Sequence, residues 1–218
     1  GCTTAQEGWV ADPNWFPLMG EALKRRTLKL RLVLYPLGQD ISLEEYGRVF
    51  PDVPSGTPLD EEGKLVMGAT KLSADGSIQA YTGFLSQPYH KTPEGKPGYV
   101  GYPSNDLEWL RQRIIDLHSN GRQIAVHCNG DAAIDVALDA YEEAQRQSPR
   151  DDTRFIVIHS QMARSDQIER MSRLEAIPSF FITHTYFWGD RHYAIFMGPE
   201  RAVRMSPTGD ALRCNLPF

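Results

Sequence analysis

Long apolar runs are missing from this sequence: none approaches the ~20 residues that would cross a bilayer. The N-terminus carries no charged segment followed by an apolar one, so no membrane partner is expected. Cysteine is scarce, with three residues in 218, Cys2, Cys128 and Cys214. They are too few and too scattered for a disulfide framework or a CxxC metal knuckle, and they point to a reducing, cytoplasmic compartment. Basic charge is not concentrated either. The 23 Lys and Arg residues are set among 28 acids for a net charge of −5, so a phosphate backbone finds no stripe to follow and nucleic acid is not an expected partner. No G-x-S-x-G elbow occurs to present a serine nucleophile. Cys128 has only His127 beside it in sequence and reads as a small buried residue.

The composition that remains is that of a globular domain, with 41% apolar, 10% aromatic and 23% charged residues, and residues 1–218 read as a single domain. Along it, short apolar runs alternate with helical stretches. "LKLRLVLYPL" (28–37), "MGATKLSADG" (67–76), "RQIAVHCNGD" (122–131), "RFIVIHSQ" (154–161) and "AIPSFFITHTYFW" (176–188) read as five strands. Runs that are apolar on both faces belong to strands covered on both sides, as in parallel sheets. Between them, Asn105 with Glu108 forms a capping pair for a helix whose apolar face is Leu107, Leu110, Ile114 and Leu117 and which stops at Gly121. Asp131 caps the next helix, with Ile134, Ala137, Leu138 and Tyr141 inward. Ser165 opens a third, with Pro178 just past its end. Residues 86–105, rich in Gly and Pro, form a long loop. The strand–helix alternation predicts an α/β fold.

In such folds, ligands gather at the C-terminal ends of the strands, where successive loops converge. His127, His159 and His184 fall at these ends, and Lys71 follows "GAT" on another strand. A lone histidine there is commonly a satisfied rim residue. His127 and His159, however, lie one βα period apart and reach the same mouth. Imidazole is the commonest metal ligand. Asp75 and Asp131 can serve as turn and cap residues, and for Asp131 the capping role suffices.

Three stretches, "GATKLSADGSIQAYTGFLSQPY", "IAVHCNGDAAIDVALDAYEEA" and "FIVIHSQMARSDQIERMSRLEAIPSFFITHTYFWGDRH", followed by "GPERAVRMSPTGDAL", together resemble the amidohydrolase superfamily. Within it, they are most similar to the amidohydrolase-3 group of YtcJ-like and N-substituted formamide deformylase-like enzymes. The opening "GCTTAQEG" resembles the segment that follows the second barrel strand. The resemblance implies a TIM-barrel-like (β/α)8 fold, here partial and covering about strands 3 to 7, with one or two divalent metals, usually zinc. It implies that Lys71, which bridges two metals when carboxylated, His127 and His159 are metal ligands. It places His184, Tyr186 and Trp188 on the substrate side, with Tyr186, Trp188, Asp190 and His192 in the loop that follows. The implied reaction is attack of a metal-activated water on a small-molecule amide or other non-peptide C–N bond.

Two family features are missing: the H-x-H pair of the first strand and the strand-eight aspartate that serves as general acid/base. The catalytic base is therefore not identifiable, and the chain is expected to be an internal part of a catalytic domain, inactive by itself. Its open sheet edges would invite self-association. The competing reading is a non-catalytic α/β protein that binds a ligand, or an assembly fragment. Bound metal lost on His159→Ala separates the hydrolase lineage from the ligand-binding reading, and a monomeric mass of 24.6 kDa in solution counts against the assembly one.

Overall fold

The computed structural model describes residues 1–39 and 41–218. Its strands are β1 (Thr4–Val10), β2 (Arg31–Pro36), β3 (Leu65–Met67), β4 (Thr70–Ser73), β5 (Ile124–Cys128), β6 (Ile156–His159) and β7 (Ile177–Phe180). The helices are α1 (Trp15–Lys24), α2 (Leu43–Val49), α3 (Leu107–Ser119), α4 (Asp131–Gln147), α5 (Ser165–Arg173), α6 (Thr183–Arg191), α7 (Gly198–Ala202) and α8 (Thr208–Arg213). Every pairing between these strands is parallel, in the orders β1-β2-β3 and β4-β5-β6-β7. A parallel bridge between Leu37 and Lys71, where the Gly38 N–H donates to the Lys71 carbonyl at 2.8 Å, joins the end of β2 to β4. The run β1-β2-β4-β5-β6-β7 thus follows chain order, with helices crossing over between successive strands. This is part of a (β/α)8 barrel of the TIM type.

Two apolar layers hold it. On the outer side Leu72, Val126, Cys128 and Val157 pack under Leu110 and Ile114 of α3, Ile134, Leu138 and Tyr141 of α4, and Ile168 and Met171 of α5. On the inner side Tyr35, Ala69 and Ala125 meet Val33, Ile156 and Ile158. Each large apolar side chain so buried contributes about 1.5–3 kcal/mol.

Several local expectations change. Thr4–Val10 is itself a strand, and among the described residues seven strands replace five. The 67–76 run is split: the Gly68 N–H donates to Leu34, and a Cβ there would overlap the Tyr35 ring, so the backbone is committed to β2 before β4 begins. The 176–188 run stops at Phe180, and Thr183–Arg191 is helical; no residue of α6 is buried, so its β-branched and aromatic residues have no sheet face to fill. Asp190 lies in α6 and His192 begins a π-helical turn, His192–Phe196, rather than a loop. The α3 cap is Asp106, which accepts from the Trp109 N–H at 2.9 Å; Asn105 instead donates to the Ser73 carbonyl and Glu108 pairs with Arg111. Asp131 is the first helical residue of α4, behind Gly130 as cap, and its carboxylate accepts from the Ser86 N–H and from Arg164. Pro178 sits inside β7, an edge strand in this chain, where a missing N–H is tolerated. Gly121 does close α3, at φ +77°.

Candidate functional site

The ladder sets the side-chain directions. Lys71 pairs with Ala125, Ser73 with His127, and His127 with Ile158, so Lys71 and His127 share the inner face with Ala125 and Ile158. His159 pairs with Cys128, and regular alternation would send it outward with Cys128. It does not go there. His159 has φ +70° and Ser160 φ +43°, two successive left-handed residues without glycine, at a cost of about 1–3 kcal/mol each. This break brings the His159 ring against His127, with ring centroids 4.5 Å apart and planes at 77°.

His184, in the first turn of α6, has its ring centroid 5.6 Å from that of His159 and 4.7 Å from that of Phe181. The Nδ1 atoms of His127, His159 and His184 are buried and have no hydrogen-bond partner among the described residues. Burial, then the neighbouring His127, Lys71 and His184, pull the His159 pKa down to about 3. Burial also lowers His184, with His127 adding to it. Both rings are therefore neutral near pH 7, the form in which imidazole offers a lone pair. Lys71 is 4% exposed, and burial lowers its pKa to about 8 against the opposing pull of Cys128 and Asp75, which leaves a sizeable neutral-amine fraction in mild base. Its Nζ lies 5.9 Å from the centroid of the Trp9 ring at the end of β1.

Three groups that the sequence marked weakly or not at all support this centre. Asp75 is buried and accepts from the backbone N–H groups of Phe84, Asn129 and Gly130 at 2.9, 2.9 and 2.7 Å. One of its carboxylate oxygens also stands 3.3 Å from His127 Nδ1, outside hydrogen-bonding alignment. Only its position before a turn glycine was visible in the sequence. Asn129 Nδ2 donates to the Gly76 carbonyl and lies 3.3 Å from His127 Nε2. Trp9 had no motif to reveal it. Gly130 is extended, at φ −80° and ψ 151°, and glycine is required because a Cβ would overlap the Phe84 carbonyl.

Of the residues expected on the substrate side, His184 alone stands against His159. Tyr186 is 84% exposed and packs edge-on against exposed Phe187, while Trp188 lies under the Arg191 guanidinium at 5.1 Å. Among the described residues no three His, Cys, Asp or Glu side chains are grouped to hold a metal ion. The groups brought together are the imidazoles of His127, His159 and His184 and the buried Lys71 amine, and the unpartnered ring nitrogens have the chemistry of part of a metal-ligand set.

Two curated proteins share sequence with the chain. YtcJ of Bacillus subtilis (strain 168), which carries the name of an amidohydrolase, is 33% identical over 107 residues, 49% of this chain and 19% of its own length. Protein LONG AFTER FAR-RED 3 of Arabidopsis thaliana is 30% identical over 142 residues, 65% of this chain and 24% of its own. The chain thus spans about a fifth to a quarter of the curated relatives it matches. Among solved structures, an uncharacterized metal-dependent hydrolase from Pyrococcus horikoshii OT3 superimposes with a TM-score of 0.72 at 22% identity, covering 97% of this chain and 39% of that one. Another from Pyrococcus furiosus gives 0.68 at 24%, covering 91% and 37%. These two share the fold. The family model described as "Amidohydrolase family" matches residues 1–218, and the chain belongs to that family.

Proposed function

We propose that residues 1–218 form one partial barrel domain of a cytoplasmic hydrolase that uses a divalent metal, zinc by preference, to cleave an amide or formamide-like C–N bond in a small molecule. The observation that carries this reading is the set of unpartnered ring nitrogens on His127 and His159, held together by left-handed backbone beside buried Lys71. His127 and His159 would hold the metal, with Lys71 as a third ligand once its neutral amine is carboxylated. A bound divalent cation makes water acidic enough to attack near neutral pH and polarises a carbonyl.

The chain's own residues supply orientation. Asp75 fixes the backbone that carries His127 by accepting from the Asn129 and Gly130 N–H groups, as the hydrogen-bonded groups behind metal ligands do. His184 offers a neutral imidazole on the substrate side. Tyr186 and Trp188 form the outer wall of that side, where an apolar substituent would rest. The H-x-H pair and the strand-eight aspartate are absent from this sequence, so we expect the isolated chain to be inactive and prone to pair through its open sheet edges. Nucleic acid has no place in this reading.

Elemental analysis of the purified chain, with His127→Ala and His159→Ala alongside, tests it. Near-stoichiometric metal that both variants lose supports the reading; metal retained by both variants would remove these histidines from the ligand set.

A further inference from the structure

Behind the candidate site lies a second polar contact that the motifs do not account for. Gln161 and His192 are both completely buried, and Gln161 Nε2 stands 3.0 Å from His192 Nε2 and 3.1 Å from Met205 Sδ. The two amide hydrogens have these two acceptors; the reversed amide would set an oxygen lone pair against the sulfur. His192 Nε2 therefore accepts. Burial first, with His184 adding to it, holds the His192 pKa down to about 4. A neutral ring that accepts at Nε2 carries its proton on Nδ1.

Gln161 Oε1 and His192 Nδ1 have no partner among the described residues. Leaving a buried polar group unpaired costs about 1–3 kcal/mol, a cost that an apolar pair of the same shape avoids. Packing alone gives no reason for this pair.

The backbone at both residues is also unusual. Gln161 follows the left-handed pair His159 and Ser160, and its carbonyl accepts from the N–H of Ser206, itself at φ +52°. His192 is the first residue of the π-helical turn, where the Met197 N–H donates to the His192 carbonyl at 2.8 Å. Such turns and such left-handed residues concentrate at functional sites. Next to Gln161, the Met162 N–H donates to the Asn129 carbonyl at the end of β5. The Gln161 turn therefore connects the ends of β5 and β6 to the segment that follows α6.

We propose that Gln161 is a positioning residue: its amide holds His192 as the Nδ1–H tautomer and ties the π-helical turn after α6 to the turn after β6, fixing the separation of His184 from His159. The inference rests on the functional reading above, in which those two histidines face substrate and metal.

The test uses the full 218-residue chain with 15N-labelled histidine and long-range 1H–15N correlation spectra. Wild-type His192 is expected to show a protonated Nδ1 and a bare Nε2. Gln161→Leu should move the proton to Nε2, shift the ring resonances of His159 and His184, and weaken Zn2+ binding in calorimetry by about 10–100-fold. Gln161→Glu, whose carboxylate can only accept, should invert the tautomer while leaving the His159 and His184 resonances near their wild-type positions. A wild-type Nε2–H tautomer overturns the inference, as do His159 and His184 resonances unmoved in Gln161→Leu. If that variant does not fold, the wild-type tautomer and the Gln161→Glu inversion decide. Absence of Zn2+ binding in the wild type would remove the metal reading of the site, and the tautomer and ring shifts would still test the positioning role.

Discussion

His127 and His159 lie ring to ring at 4.5 Å although the β5–β6 ladder pairs His159 with Cys128. The contact exists because His159 leaves the strand in a left-handed conformation at φ +70°. Two histidines that a regular ladder would place on opposite faces thus come to share one.

The chain alone should not turn over substrate. Assays with formamide and acyl-amide compounds in added Zn2+ are expected to stay at background. Metal-dependent turnover abolished by His127→Ala would show that the H-x-H pair and the final aspartate are dispensable.

Asp75 is expected to matter more to folding than its place in a turn suggests. Asp75→Ala removes the acceptor for three backbone N–H groups in the interior, each worth about 1–3 kcal/mol when left unpaired. Urea unfolding should register a loss of at least ~3 kcal/mol. A change below ~1 kcal/mol would mean that other acceptors replace the carboxylate.

Two glycine substitutions should separate crowding from backbone strain. Gly130→Ala keeps an allowed backbone but drives a methyl into the Phe84 carbonyl, an overlap costing about 1–3 kcal/mol. Gly121→Ala meets nothing within 4 Å but sits at φ +77°, a strain of about 1–2 kcal/mol. Melting temperatures should fall for both. Restoration of the wild-type value in Gly130→Ala would show that the Phe84 carbonyl yields.

Acid should weaken the fold through His192. Its folded pKa is lowered to about 4 from an ordinary 6.5, chiefly by burial. As pH falls through ~6.5 the unfolded chain binds a proton that the native ring refuses until about 4, so this contribution is intact above that window and is lost within it. Buried His118 is shifted in the same direction. Stability measured in urea from pH 7.5 to 4 is expected to drop at about 1.4 kcal/mol per pH unit for each such histidine. Gln replacing His192 should make the slope shallower by about that amount, and an unchanged slope would assign the loss to other groups.

The α/β alternation was legible because apolar runs such as "IAVHC" and "FIVIH" have to be covered on both faces, and because the helices between them repeat apolar residues at helical spacing. His127 and His159 were legible as residues at strand ends, whereas Lys71, expected at another, is the second residue of β4 and pairs with Ala125, two positions before His127. The extent of "AIPSFFITHTYFW" was not: strand propensity in Phe181–Trp188 is a weak local preference, and with no buried face to fill the segment becomes α6. The caps failed for a related reason, since Asn105 and Asp131 are drawn to long-range partners, the Ser73 carbonyl and the Ser86 and Arg164 donors.

The periodicities, the layers they require and the residue types available at the strand ends are written in the linear order of residues. Which of those residues meet is set by contacts that form on folding. Whether His159 joins His127, whether Asp75 reaches three amides, and whether Gln161 finds His192 depend on a few backbone angles and on contacts between residues up to 55 positions apart. Composition and spacing carry no record of such contacts, because the energies that fix them arise only once the chain has closed on itself.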